Sequence, residues 1–243
     1  MRFGNNKKNS LIFVADEFLT FFRQKLGVFG PFSVKLVFGL ALGLASLALF
    51  AKLSEDLLFN ELLLFDTIVI KAVRSFSTDN VTLFMTEVSR WGSPWFLSLV
   101  GAVVMIYTGL VRRHFWDAVL VPTALLGGII LNETLKSLFH RQRPVLPHLV
   151  NVSGFSFPSG HAMMSFIFYG MLIYLVWLNF RNKFFRLAMT ILFTAVFLLI
   201  GISRIYLGVH YPSDVLAGFA AGSFWLVACV LGLRGIRYYE DED

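Results

Sequence analysis

Three short stretches of this chain carry side chains suited to holding an anion and moving a proton. The first is Lys136, Ser137, Leu138, Phe139, His140, Arg141, Gln142, Arg143, Pro144, in which six residues separate Lys136 from Arg143. Lys136 is expected in the last turn of a helix and Arg143 beyond its end, with Pro144 fixing the exit. Cations so placed either snorkel toward lipid headgroups or converge on a bound anion. The second stretch is Phe157, Pro158, Ser159, Gly160, His161, immediately before an apolar run. Ser159 and Gly160 fall where a helix begins, so unpaired backbone N–H groups and the positive end of the dipole face the mouth, which suits phosphate. An ordinary N-cap would be satisfied by Ser159 alone.

The third stretch runs from Ser203 and Arg204 to His210 and Asp214. Pro212 is expected in the first helical turn, with His210 in the loop just outside it and Asp214 one turn in. A carboxylate there can accept the proton of one ring nitrogen and leave the lone pair of the other aimed at a substrate. A lone His near an Asp is usually structural, but Arg204 and two other basic clusters on the same face favour a site. Glu133, one turn before Lys136, is expected to pack in the bundle rather than to pair with that lysine.

The elements that must position these residues follow from composition. Hydrophobic residues are 57% of the 243, charged residues 15%, and Phe alone occurs 27 times; the mean hydropathy is +0.72. Soluble domains carry roughly 25% charged residues, and disorder needs low hydrophobicity, so an integral membrane protein is expected. Six segments approach the roughly 20 apolar residues that a spanning helix needs: Val34 to Lys52, Pro94 to Val111, Asp117 to Phe139, Ala162 to Phe180, Leu187 to Ser203 and Pro212 to Leu233. Leu57 to Phe76 is apolar but interrupted by Glu61, Asp66, Lys71 and Arg74, and is expected as an interfacial or partly embedded amphipathic helix rather than a span. Ser10 to Val28 has a similar pattern. The fold class is therefore all-α: a polytopic six-transmembrane-helix bundle with amphipathic interfacial helices. Its expected parts are a cytoplasmic or interfacial segment over 1–33, a membrane domain over 34–233 and an acidic cytoplasmic tail over 234–243.

Net charge is +6. In a membrane protein such an excess records loop topology rather than nucleic-acid binding. On alternate sides of six spans, thirteen Lys and Arg fall on one face and eight on the other. The basic-rich face is expected to be cytoplasmic, with both termini inside. Lys136, Arg141, Arg143 and Arg204 then face outward, against the rule. A Lys or Arg costs about 2.5 to 3.5 kcal/mol at helix centre and less near the ends, so this clustering points to a site. No removable signal peptide is expected. The single Cys229 is expected to pack, and forms no intrachain disulfide or cysteine metal cluster.

The pattern Lys136 with six residues to Arg143-Pro144, then Pro158-Ser159-Gly160-His161, then Ser203-Arg204 with five residues to His210 and three more to Asp214, resembles the tripartite signature of the type 2 phosphatidate phosphatase (PAP2) superfamily. More narrowly, it resembles the bacterial membrane lipid phosphatase branch. The superfamily also includes soluble acid phosphatases and vanadium haloperoxidases. The motifs cover 136–214, and the six-span architecture extends the resemblance to most of the chain.

The resemblance implies that Lys136, Arg143 and Arg204 clamp phosphoryl oxygens, with Ser159 and the N–H of Gly160 assisting. It implies that His210 attacks phosphorus to form a phosphohistidine, that Asp214 orients His210, and that His161 protonates the leaving group and then activates water. No cofactor or metal is implied. The expected partners are a lipid phosphate and the surrounding membrane lipids, with no nucleic acid. Phosphatidylglycerophosphate, undecaprenyl diphosphate and phosphatidate share the required headgroup. A vanadium-haloperoxidase-like enzyme and a non-catalytic lipid-binding relative are the alternatives; six spans argue against the first and the complete motif set against the second. A lateral lipid entrance walled by Leu57 to Phe76 is a further expectation.

Overall fold

The computed structural model describes residues 30–240, with side chains over 36–236. The segment Ser10 to Val28 and the last three residues of the acidic tail lie outside the described residues. Among the described residues there are eight α-helices and no strand: α1 (Gly30–Leu58), α2 (Leu63–Arg74), α3 (Asp79–Arg90), α4 (Pro94–Ile106), α5 (Phe115–Phe139), α6 (Gly160–Asn179), α7 (Lys183–Tyr206) and α8 (Pro212–Glu240). A π-helical turn, Tyr107–Val111, extends α4. Helix is the required outcome in an apolar medium, where every backbone N–H and C=O must find its partner within the segment.

All six expected spans form, over Leu36–Leu58, Pro94–Val111, Phe115–Phe139, Gly160–Asn179, Lys183–Tyr206 and Pro212–Ile236. The fifth is longer than its apolar run, because Lys183, Arg186 and Arg204 stay helical at its two ends. Large apolar side chains line the outside of these helices, among them Trp95, Leu110, Ile130, Phe184 and Ile191. Such a surface is compatible with lipid and not with water.

The chain divides after Leu42, and the unit Gly43–Asp243 holds everything described below. Within it α6 packs against α5, α7 and α8, burying Met163, Ile167, Phe168 and Met171 against Leu120, Val121, Ala124 and Ile200. Lipid tails are as apolar as these side chains, so close packing rather than water exclusion holds the helices together. Gly218 and Gly222, four residues apart on α8, provide that closeness. A Cβ on Gly218 would stand 2.7 Å from the Ser159 carbonyl oxygen and 3.1 Å from the Ala162 Cβ, and one on Gly222 2.8 Å from the Met163 carbonyl oxygen. Gly218→Ala is expected to destabilise the fold by about 1 to 3 kcal/mol. An unchanged melting temperature in detergent would show that the two helices can separate without cost.

The segment 57–76 is not one interfacial helix. α1 continues to Leu58, a turn follows, and α2 occupies only Leu63–Arg74. Leu63, Leu64, Phe65 and Ile68 are exposed and Asp66 is buried at 1% exposure, while farther along Ile70 and Val73 pack inward and Lys71 is exposed. α2 packs on α7 and α8, and α3 packs on α7. Thr78 caps α3 by accepting from the Val81 N–H at 3.3 Å. Ser93 caps α4, whose first residue is Pro94. These two short helices cover the end of the bundle to which all three motif stretches run.

Candidate functional site

Each motif stretch is placed by the end of a spanning helix. α5 stops at Phe139 because His140 takes a left-handed conformation, φ 49°, and its N–H closes on the Lys136 carbonyl. This leaves Lys136 in the last turn. α6 starts after Ser159, whose Oγ accepts from the Ala162 N–H at 3.5 Å. Between α7 and α8 the chain turns at Gly208, φ 75°. There a Cβ would both strain the backbone and approach the Pro147 carbonyl oxygen to 3.1 Å. This turn carries His210 itself and leads into α8, whose first turn holds Asp214.

The three stretches converge on one cavity of about 280 Å³, lined by Lys136, Arg143, Gly160, His161, Arg204 and His210 together with Asn132, Glu133 and other residues of α5, α6 and the α3–α4 junction. Ser159 and Asp214 do not line it; both are fully buried behind the wall. Three cations face the single carboxylate of Glu133, so the cavity carries an excess of positive charge. Glu133 pairs with Lys136 at 3.0 Å, contrary to the expectation that it merely packs. An ammonium at 19% exposure beside a carboxylate one turn away gains more from pairing than from solvent it scarcely reaches.

The tautomer of His210 follows from its partners. Arg143 Nη1 lies 3.2 Å from His210 Nε2. A guanidinium can only donate, so Nε2 presents its lone pair and Nδ1 carries the proton. Nδ1 faces Asp214 Oδ2 at 3.5 Å and Ser156 Oγ at 3.3 Å. Ser156 Oγ in turn donates to Asp214 Oδ2, which also accepts from the Tyr211 N–H at 2.8 Å. Burial pulls the His210 imidazole down to about 4, against the opposing pull of Asp214 and with the help of the Arg204 and Arg143 charges. The ring is therefore a free base at neutral pH, with its lone pair in the cavity.

Arg143 is fixed by backbone carbonyls. Nε donates to Gly154 at 3.0 Å, Nη2 to Ser153 at 2.9 Å and Nη1 to Val209 at 2.8 Å. Burial lowers its guanidinium from the usual value, opposed by the charge of Asp214. Arg204 is 4% exposed. Its Nη1 donates to Ser89 Oγ at 2.6 Å, and its Nε is buried with no hydrogen-bond partner. An unsatisfied buried N–H costs about 1 to 3 kcal/mol, and an anionic oxygen in the cavity is a natural acceptor for it.

Gly160 matters for space as well as for its N–H. A Cβ there would stand 2.9 Å from Asn132 Oδ1 and 3.5 Å from Lys136 Nζ. Gly160→Ala is expected to displace both side chains and to lower kcat/KM by about tenfold or more. Steady-state phosphate release by the folded variant tests this, and a change under twofold would count against it.

Four residues that the motifs do not include complete the arrangement: Ser156, Ser89, Arg141 and Asp66. Arg141 sits within the first stretch and Ser156 just ahead of the second, where proximity was a usable signal. Asp66 and Ser89 lie on α2 and α3, and nothing in their local sequence marks them.

The profile of the PAP2 superfamily matches residues 117–237, which include all three stretches. Phosphatidylglycerophosphatase B of Bacillus subtilis is 36% identical over 144 residues, covering 57% of this chain and 68% of that protein. Undecaprenyl-diphosphatase BcrC of the same organism is 25% identical over 177 residues, covering 70% of this chain and 82% of that protein. A transmembrane PAP2-type phosphatidylglycerolphosphate phosphatase from Bacillus subtilis has a solved structure that matches with a TM-score of 0.74 at 26% identity, over 82% of this chain and 96% of that one. Helix order, the convergence of the motifs and these likenesses agree: the chain belongs to the PAP2 superfamily and is a multi-pass membrane phosphatase.

Proposed function

We propose that this phosphatase removes phosphate from a membrane lipid through a phosphohistidine on His210, at the extracytoplasmic face of the cytoplasmic membrane. The carrying observation is the His210 ring itself: it lines a cavity with three cations, its Nε2 3.2 Å from Arg143 Nη1 and its Nδ1 3.5 Å from Asp214 Oδ2. Lys136, Arg143 and Arg204 neutralise the phosphoryl oxygens, and the Gly160 N–H adds a donor at the start of α6. Ser159 caps that same turn and holds the N–H groups in place. Nε2 attacks phosphorus and the P–N bond forms as the P–O bond to the lipid breaks; His161, on the same cavity wall, protonates the departing oxygen. His161 then takes a proton from water, the new oxygen bonds to phosphorus, the P–N bond breaks and inorganic phosphate leaves.

Exposed Ile129 and Glu133 form part of the cavity wall, which supports entry of a lipid headgroup from the flank of the bundle. No residue of 57–76 lines this cavity, so that segment does not wall the entrance. The activities of the relatives make phosphatidylglycerophosphate and undecaprenyl diphosphate the first substrates to try, with phosphatidate third. The sidedness rests on the Lys and Arg bias, thirteen against eight.

Phosphate release by purified protein from a panel of these three lipids in mixed micelles is the test. Hydrolysis of at least one is expected, with an acid-labile phosphoenzyme trapped during turnover; turnover without a phosphoenzyme would remove the histidine from the nucleophile's role. The acid limb of kcat/KM, corrected for the separately measured ionisation of the substrate, is expected near pH 4. A limb near the 6.5 of an ordinary His would show that the ring is not shielded. The same shift costs stability in acid. Between about 6.5 and about 4 the unfolded His takes up a proton that the folded one refuses, so stability falls as pH drops through that window.

A further inference from the structure

The cation in direct contact with Asp214 is not one of the three that line the cavity. Arg141 lies behind the wall and splits its guanidinium fork between two carboxylates. Nη1 donates to Asp214 Oδ1 at 2.6 Å and to Ser213 Oγ at 2.8 Å. Nη2 donates to Asp66 Oδ2 at 2.8 Å. The guanidinium also stacks over the Tyr211 ring, 4.0 Å from its centroid. Asp66 in turn accepts from the Ser213 N–H at 2.9 Å on Oδ1 and from the Ser213 hydroxyl at 2.7 Å on Oδ2. Apart from the bond between them, the side-chain hydrogen bonds of Asp66 and Arg141 thus end on Ser213 and Asp214.

We infer that Asp66 is a positioning residue of the reaction, acting through Arg141 and Ser213 to keep Asp214 Oδ2 free for His210. An arginine fork facing a single carboxylate chelates both of its oxygens. Here only one arm reaches Asp214, because Asp66 holds the other. Asp214 Oδ1 therefore serves Arg141, while Oδ2 serves Ser156, the Tyr211 N–H and His210 Nδ1. Without the Asp66 charge, Arg141 can rotate onto both oxygens of Asp214 and compete with the imidazole for Oδ2. Charge acts in the same direction. Two carboxylates against one guanidinium leave one negative charge beside His210 to stabilise the ring as it gains positive charge in attacking phosphorus; one against one leaves none. The inference rests on the assignment of His210 as nucleophile and adds a residue from α2, outside every motif.

Asp66→Asn separates this role from that of a helix cap, since the amide oxygen still accepts from the Ser213 N–H but no longer holds the guanidinium by charge. Relative to the unaltered chain, kcat is expected to fall about tenfold or more. KM and the inhibition constant of inorganic phosphate should stay close to the original values, while the melting temperature in detergent falls because a buried ion pair is lost. In an Arg141→Gln background the same substitution should cost less than about twofold, because the two residues act as one unit. A fall in kcat of less than fivefold, or an equal fall with and without Arg141, would overturn the inference. Should Asp66→Asn fail to accumulate as folded protein, Ser213→Ala decides: kcat at least about fivefold lower with phosphate inhibition unchanged supports the positioning role, and a smaller fall rejects it. His210→Ala assayed alongside keeps the two levels apart. Activity in that variant removes the nucleophile assignment, whereas its inactivity beside an unaffected Asp66→Asn removes only the role of Asp66.

Discussion

His210→Ala is expected to lower kcat by at least about 10,000-fold while leaving a folded protein. The substitution removes an imidazole held between the cavity and a carboxylate: Nε2 lies 3.2 Å from Arg143, and Nδ1 faces Asp214 Oδ2. Folding should survive because the surrounding polar groups keep other partners. Arg143 retains the Val209, Gly154 and Ser153 carbonyls, and Asp214 retains Arg141 and Ser156. Phosphate release and phosphoenzyme trapping, measured on protein that elutes as a single species with an unchanged melting temperature, check this. Activity above about one per cent of the original would mean that another group attacks phosphorus.

Arg143→Lys is expected to cost about 100- to 1,000-fold in kcat/KM and also to lower the melting temperature, although the charge is conserved. A guanidinium serves carbonyls in two directions, 153–155 on one side and Val209 on the other, while one N–H reaches His210 Nε2. A lysine ammonium is a single point at the end of a flexible stem and cannot span both. The loop ahead of α6 loses its tie to the loop ahead of α8, so cavity geometry and stability decline together. Kinetics on the lipid substrate and on a short-chain phosphoester, alongside thermal unfolding in detergent, separate the two losses. Near-normal kcat/KM would show that charge alone suffices at this position.

The helices were legible in the sequence because a bilayer leaves few alternatives. Apolar runs of spanning length become helices, and four of the six expected spans match within three residues; the first continues past Lys52 to Leu58, and the fifth is longer because the basic residues at its ends remain helical. The segment 57–76 was harder. Its mixture of Asp66, Lys71 and Arg74 with Leu and Phe marks an amphipathic helix, but Leu63, Leu64, Phe65 and Ile68 are exposed while Asp66 is buried. Periodicity records that a helix has two faces; it does not record which face meets lipid and which meets protein. Glu133 departs from expectation for a related reason, since whether an acid one turn from Lys136 pairs with it depends on how much water the lysine retains.

The spacing within each motif, and the helix ends that motif residues occupy, are local properties: a left-handed cap at His140, an N-cap at Ser159 and a proline at the start of α8 are written in adjacent residues. Membrane class, the six spans, the three stretches and the residue types able to hold phosphate therefore follow from composition and local spacing alone. Only the tertiary structure decided which nitrogen of His210 carries its proton, that Glu133 pairs with Lys136, and that Asp66 and Ser89 brace Arg141 and Arg204. These last contacts join residues 75 and 115 positions apart. Their existence depends on how whole helices pack, a long-range outcome that no window of neighbouring residues contains.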